Sequence, residues 1–369
     1  MQIPAWRRLV LKVGSNLIAP GGQALSTQHL LDIARFIQRA RAAQREVVVV
    51  SSGAVAAGRA ALRAHHQPPL ADGMGGKQAL AAIGQAELMR FWARFFDFPV
   101  AQLLLTLDDL ADRRRFLNAR NTLRALRALG VLPVINENDS VAVDELRVGD
   151  NDTLGAHVAV LAEADLLVLC TDIDGLYDRD PRRDSSAQKI CEVDAVDDAV
   201  MALAGAAGSV VGTGGMRTKL VAAKRAAEAG IGTLIIDGRD HRALEALLDD
   251  RHAGTWIHPA RQRRAARKHW MLHALPTSGV LHIDSGASEA LAGRGASLLP
   301  RGIERVEGEF DVGDAVEIHH AGKPLAKGIV QYRASELQKI RGRHSREIVD
   351  LLGECPSESV VHRDDLVLL

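Results

Sequence analysis

The sequence predicts an α/β protein: a parallel sheet covered by helices on both faces, followed by a small all-β barrel. Apolar, β-branched runs recur at Leu9 to Val13, Val47 to Val50, Val100 to Leu105, Val131 to Ile135, Leu166 to Leu169 and Thr233 to Ile236. Helical patterns such as HLLDIARFIQRARAA and RNTLRALRAL lie between them. Continuous apolar strands alternating with helices indicate a parallel sheet buried on both faces. From about Ser278 the texture changes to short β-like runs with turns, namely GVLHID, SLLPRGIERVEGEF, GDAVEIHH and AKGIVQY. Runs of that kind predict a small barrel. The division expected is an α/β domain over 1–257, a basic helical linker over 258–276 and the barrel over 277–369.

Composition narrows the function classes. A chain of 369 residues holds about two domains, and 47% hydrophobic with 25% charged residues is an ordinary globular mixture. The formal net charge is zero, so no global field favours nucleic acid or a membrane surface. Cys170, Cys191 and Cys355 are an odd, widely spaced set without CxxC, which points to a reducing compartment and away from a disulfide framework or a zinc site. Arg7 and Arg8 interrupt the N-terminus within a few residues, and VVVV at 47 to 50 is too short to span a bilayer. A cytoplasmic protein with no membrane partner is expected.

Parallel sheets bind ligands beyond the carboxyl ends of their strands. Lys12 lies inside the first strand, with Gly14, Ser15 and Asn16 beyond it. Ser51, Ser52, Gly53 and Ala54 follow the second, and Thr171, Asp172, Ile173, Asp174 and Gly175 follow the fifth. Glycine in such places is often only turn punctuation. Four coincident polar strand ends instead make a pocket floor.

The fourth strand end is the densest. VINENDSVAVDELRVGDND opens on Asn136, Glu137, Asn138 and Asp139 and closes on Gly149, Asp150, Asn151 and Asp152, before the helical pattern TLGAHVAVLAEA. Between them Val141 to Val148 reads as a hairpin with Asp144 and Glu145 near its turn. A loop and a helix N-cap would explain one Asp or Asn. Seven of the eight flanking positions carry Asp, Asn or Glu, and that excess marks a site.

GTGGMRTK, residues 212 to 219, leads into the helix LVAAKRAAEAG. Its glycines let backbone N–H groups approach a phosphate, with Thr218 and Lys219 at the positive end of the helix. The GxxxxGK[ST] order fails, no GxGxxG follows the first strand, and a plain glycine-rich helix lead-in has the same look. Two apparent calcium loops fail as well: their twelfth positions are Leu161 and Arg183 instead of an acid.

LKVGSN (11–16), VVVVSSGAVAAG (47–58), RFLNARNTLRAL (115–126), PVINENDSVA (133–142), VGDNDTLGA (148–156), TDIDGLYDRDPR (171–182) and GTGGMRTKLVAA (212–223) together resemble the amino acid kinase family, and within it the glutamate 5-kinases. The resemblance runs in order from residue 9 to about 255, and the NEND and GDND pair with the glycine loop is more specific than any one motif. It implies ATP contacts at Lys12, Thr171, Asp172, Thr213, Gly214, Gly215, Met216, Arg217, Thr218 and Lys219. It implies glutamate contacts at Ser52, Asp139 and Asn151, and a catalytic set of Lys12, Asp152 and Lys219 in which Asp152 orients the lysines. Arg217 departs from the family, where a small hydroxyl residue is common. SLLPRGI (297–303) and AKGIVQYRASEL (326–337) resemble a PUA domain, a module shared with RNA-modifying enzymes. Fold alone does not establish RNA binding.

The resemblance further implies ATP-dependent phosphorylation of the γ-carboxylate of L-glutamate, the first step of proline biosynthesis. With it come magnesium as ATP's companion, proline as feedback inhibitor, a homo-oligomer, and hand-over of a labile acyl phosphate to glutamyl-phosphate reductase. The residue inventory is chemically apt. A γ-carboxylate is already an anion at neutral pH and needs no general base. Acyl-phosphate formation needs in-line positioning and neutralisation of phosphoryl charge. His157, in an apolar helix, reads as a core histidine. Two other readings stay open: an acetylglutamate or uridylate kinase, against which NEND and the C-terminal module argue, and an RNA-binding protein with a vestigial kinase half, against which Lys12, Asp152 and Lys219 argue. The basic run RQRRAARKHW reads as a solvated helix, with a nucleic-acid patch as its alternative.

Overall fold

Strand β1 (Arg8–Val13) lies inside an eight-stranded sheet, flanked by β2 (Glu46–Ser51) and β5 (Leu166–Thr171). The computed structural model describes residues 1–68, 73–142, 151–206, 215–260 and 277–369. With β3 (Val100–Leu105), β4 (Leu132–Glu137), β6 (Leu176–Tyr177), β7 (Lys189–Ile190), β8 (Glu192–Val193), β9 (Gly232–Asp237) and β10 (Thr255–Ile257), the sheet order is β3-β4-β2-β1-β5-β9-β10-β8. Every neighbouring pair from β3 to β9 is parallel, and β10 runs antiparallel to β9. The six apolar runs of the sequence are these parallel strands. Residues such as Leu11, Val49, Val168 and Ile236 are fully buried because helices cover both faces. β6 and β7 form a separate two-stranded ribbon.

Register places the polar turns together. Val13 pairs with Ser51 on one side and with Cys170 on the other, so the segments that follow these strands leave the sheet at the same edge. The helices are α1 (Ser15–Ile18), α2 (Leu30–Ala42), α3 (Ala54–Ala64), α4 (Met74–Ala93), α5 (Leu107–Ala111), α6 (Arg113–Ala128), α7 (Asn151–Leu161), α8 (Asp198–Ala206), α9 (Met216–Glu228) and α10 (His241–Leu248). In α2, Leu30, Ile33, Ala34 and Ile37 make the buried stripe expected of an amphipathic surface helix. Helices α3 and α4 pack in backbone contact. A Cβ at Gly84 would sit 1.8 Å from the Ala54 carbonyl oxygen, so only glycine fits there.

The chain divides into two units, Met1–Asp112 with Thr122–Arg261, and Arg113–Asn121 with Gln262–Leu369. In the second, β11 (Thr277–Ile283), β12 (Ile303–Gly308), β13 (Ala315–His320), β14 (Lys323–Val330) and β15 (Val361–Leu368) form a sheet ordered β12-β11-β13-β14-β15. Only β11 and β13 pair in parallel. Its core joins Leu281, Val316, Ile318, Val330 and Tyr332, and short helices such as Ser285–Arg294, capped by Asp284, close it. Residues 113–121 group with this unit. Leu117 packs on Ile329 and Val367, and the buried Arg120 forms a two-pronged ion pair with the buried Asp365, Nη1 to Oδ1 at 2.8 Å. A boundary at residue 257 leaves 113–121 in the first domain. Of the basic stretch, His258 to Ala260 lack regular structure, and 261–276 lie outside the described residues. The hairpin with Asp144 and Glu145 lies outside them too.

Candidate active site

Two elements converge on Asp152, the second residue of α7, whose side chain has no solvent exposure. Lys12, near the end of β1, places Nζ 2.5 Å from Asp152 Oδ1. Lys219, in the first turn of α9, donates from Nζ to Oδ2 at 3.0 Å. The single hydroxyl hydrogen of Thr218 is shared between the same oxygen at 3.1 Å and the Gly215 carbonyl at 2.7 Å. Both lysines are themselves buried, and burying their charge requires a fixed counter-charge. At Gly155, α7 lies against the Lys12 stem at a distance where a Cβ would make ordinary van der Waals contact, 3.4 Å from Lys12 Cβ.

Next to this triad, the two N–H bonds of Asn151 Nδ2 are shared among the Ser51 carbonyl at 3.2 Å, Ser52 Oγ at 2.8 Å and Asn136 Oδ1 at 3.1 Å. Ser52 stands in the turn from β2 to α3, which Gly53 makes with φ of 106°. A Cβ at Gly53 would also clash with Ile18 at 2.8 Å. Asp139, in the half-buried turn after β4, lines the same cavity as Ser52, Asn151 and both lysines, a space of about 670 Å³.

The other end of the cavity is formed by the close of β5. Thr171 Oγ1 donates to Asp172 Oδ1 at 3.1 Å, and Asn16 Nδ2 donates to Oδ2 at 3.0 Å. Burial alone would raise the Asp172 carboxyl. The Asn16, backbone and Thr171 hydrogen bonds, with the charge of Arg239, outweigh it and hold the carboxyl below its ordinary range. Arg239, clamped by Asp237, donates to the Asp172 carbonyl at 2.6 Å and fixes the turn. Burial pushes the neighbouring Cys170 thiol far upward, which leaves it inert.

The structure therefore brings together Lys12, Ser52, Asp139, Asn151, Thr171, Asp172, Gly215, Met216 and Lys219 around one cavity, with Asp152 and Thr218 behind the lysines. Arg217 is exposed and does not line it. Thr213 and Gly214 lie outside the described residues. Sequence reasoning missed the roles of Asn136, Asn16 and Arg239. Asn136 stood within the acid and amide cluster, and its buried position at a strand end was the available signal. His157 is half-buried on α7 rather than in the core: it touches Arg225, and burial followed by that charge lowers its pKa to about 4. Among the described residues no group of three His, Cys, Asp or Glu side chains could hold a metal ion, and no helix is long and apolar enough to cross a membrane.

A parallel α/β sheet that sets two lysines on one buried aspartate, beside a glycine-led helix N-terminus, defines an enzyme built to handle phosphoryl groups. The chain belongs to the amino acid kinase family, whose model matches residues 7–237, and a PUA domain matches residues 279–352. It is similar to the glutamate 5-kinase of Xylella fastidiosa (strain M23), at 53% identity over 100% of this chain and 96% of that one. The glutamate 5-kinase of Xanthomonas euvesicatoria pv. vesicatoria (strain 85-10) is 54% identical over 98% of this chain and 100% of its own. That of Salinibacter ruber (strain DSM 13855 / M31) is 51% identical over 99% and 98% respectively.

Proposed function

We propose that the chain is a glutamate 5-kinase. It transfers the γ-phosphoryl group of ATP to the γ-carboxylate of L-glutamate, giving L-glutamyl 5-phosphate and ADP, the first step of proline biosynthesis. The observation that carries this reading is the Asp152 carboxylate holding Lys12 and Lys219 on its two oxygens, next to the Asn151–Ser52 pair. A γ-carboxylate oxygen attacks phosphorus, the bond from phosphorus to the β,γ-bridging oxygen breaks, and ADP carries the electron pair away. No proton has to move, so the lack of a histidine base is consistent with the chemistry. Lys12 and Lys219 neutralise charge on the transferring group, while Asp152 keeps both ammonium groups aimed. Asp139 and Asn151 hold glutamate, with Ser52. Thr171, Asp172 and the 213–219 segment hold the nucleotide.

Magnesium belongs to the substrate. Asp152 is engaged by the lysines, so the metal enters on the phosphates of MgATP. Residues 1–257 with their glycine-led loop make the kinase domain and 277–369 the PUA domain, in a cytoplasmic homo-oligomer. Proline, the end product, competes for the glutamate site, and the acyl phosphate passes directly to glutamyl-phosphate reductase. Hydroxamate trapping with MgATP tests the central reading: glutamate should give a hydroxamate and acetylglutamate none. The reverse preference would reject it. Proline should raise the KM for glutamate at constant kcat, and purely noncompetitive inhibition would argue against a shared site.

A further inference from the structure

Gln85, on α4, lies outside every motif of the sequence, is 9% exposed, and sits behind the proposed glutamate site without lining its cavity. Its Oε1 accepts from Asn136 Nδ2 at 3.0 Å, while its own Nε2 is buried and has no partner among the described residues. A buried amide with one end unmet is costly, and an apolar side chain would avoid that cost. The other end therefore needs an explanation.

The hydrogen-bond chain supplies one. The Ser51 carbonyl can only accept, so the Asn151 group facing it must be Nδ2. Nδ2 then also faces Ser52 Oγ and Asn136, which obliges Asn136 to present Oδ1 to Asn151. Asn136 consequently turns Nδ2 toward α4, and only an acceptor can meet it there. With Nδ2 turned to protein acceptors, Oδ1 is the end of the Asn151 amide left to meet a ligand in the cavity that Asn151 lines. The far side of Ser51 is fixed as well: Trp92, two turns along α4, donates from Nε1 to Ser51 Oγ at 2.8 Å.

We propose that Gln85 is a positioning residue for substrate binding: through Asn136 it fixes the Asn151 amide so that a carbonyl oxygen faces the ammonium end of the amino acid substrate. The proposal rests on the glutamate reading above. Helix α4 is rigid at this point because Gly84 packs against the Ala54 backbone, so the Gln85 acceptor is held in place.

Gln85→Met and Gln85→Glu in the full chain test it, with KM for glutamate and for ATP, kcat and Tm measured for each. Gln85→Met keeps the volume and removes the acceptor, so the glutamate KM should rise about three- to tenfold while the ATP KM and kcat stay near wild type. Gln85→Glu restores an acceptor and should return the glutamate KM to within about twofold of wild type. A merely structural Gln85 predicts a lower Tm in Gln85→Met with an unchanged KM, and that result overturns the proposal. Equal impairment in the two variants overturns it too. A wild-type chain that forms no glutamyl hydroxamate would sink the glutamate reading and the relay together, whereas an active wild type with an unaltered Gln85→Met KM rejects the relay alone.

Discussion

Lys12 and Lys219 reach the same carboxylate from two different elements, one on each oxygen of Asp152, at 2.5 and 3.0 Å. Their ammonium groups are separated by a fixed anion and are preorganised before any phosphate arrives. Preorganised charge of this kind acts in the transition state without reorganisation cost.

Lys219→Ala should therefore lower kcat by about a hundred- to a thousandfold, from a loss of about 2.7 to 4 kcal/mol of transition-state stabilisation. Lys12→Ala should behave alike. Single-turnover measurement of hydroxamate formation checks this, and a Lys219→Ala enzyme with most of its kcat would reject the assignment.

Asp139, in the turn after β4, lines the same cavity as the two lysines. Free glutamate carries an ammonium group that acetylglutamate lacks, and a hydrogen bond to a charged group contributes roughly 1.5 to 3 kcal/mol. Asp139→Asn should raise the glutamate KM about ten- to a hundredfold and leave the ATP KM nearly unchanged. A turn residue bonding its own backbone would instead show a lower Tm with both KM values intact.

The sheet and its polar edge were legible in the sequence because they depend on local pattern. Strands such as Val47 to Val50 are too apolar to be anything but doubly covered, and their ends switch abruptly to Ser, Gly, Asn and Asp. The two lysines that meet on Asp152 were legible from the motifs that surround them. Gln85 was not: in AAIGQAEL it has the look of a solvent-facing helix residue, and its burial follows from the close packing of α4 on α3. The grouping of residues 113–121 with the second unit was equally hidden. Arg120 and Asp365 are 245 positions apart, and neither pattern nor propensity reports a pair at that separation.

His157 gives a pH prediction. Burial first, and then the Arg225 guanidinium, lower its pKa from 6.5 to about 4 in the folded protein. The unfolded chain thus binds more protons between those values, so this contribution to stability is complete above about 6.5 and is lost as the pH falls toward 4. NMR titration of the ring should find a midpoint near 4, and the Tm of His157→Gln should fall less than that of wild type over the same window. A ring titrating near 6.5 would contradict the half-buried, neutral assignment.

The Arg120–Asp365 pair predicts a stability effect with an opposite-sign control. Both side chains are buried, Arg120 at 3% exposure and Asp365 at 1%, and two parallel hydrogen bonds join them. Removing Asp365 takes away the carboxylate that the buried Arg120 guanidinium meets with two hydrogen bonds. Asp365→Ala should therefore destabilise the second unit by about 3 to 5 kcal/mol, read as a lower midpoint in urea. Replacing both partners removes both buried charges along with their attraction. The double variant Arg120→Met with Asp365→Leu should recover most of the loss and could exceed wild type, since well-packed apolar substitutes for buried ion pairs are often neutral or stabilising. A chain truncated after His258 retains Arg120 and Leu117 but lacks every one of these partners. It should bind an apolar dye and aggregate unless Arg120→Gln and Leu117→Ser are introduced with it. A truncated chain that stays monodisperse without those changes would show that residues 113–121 do not depend on the second unit.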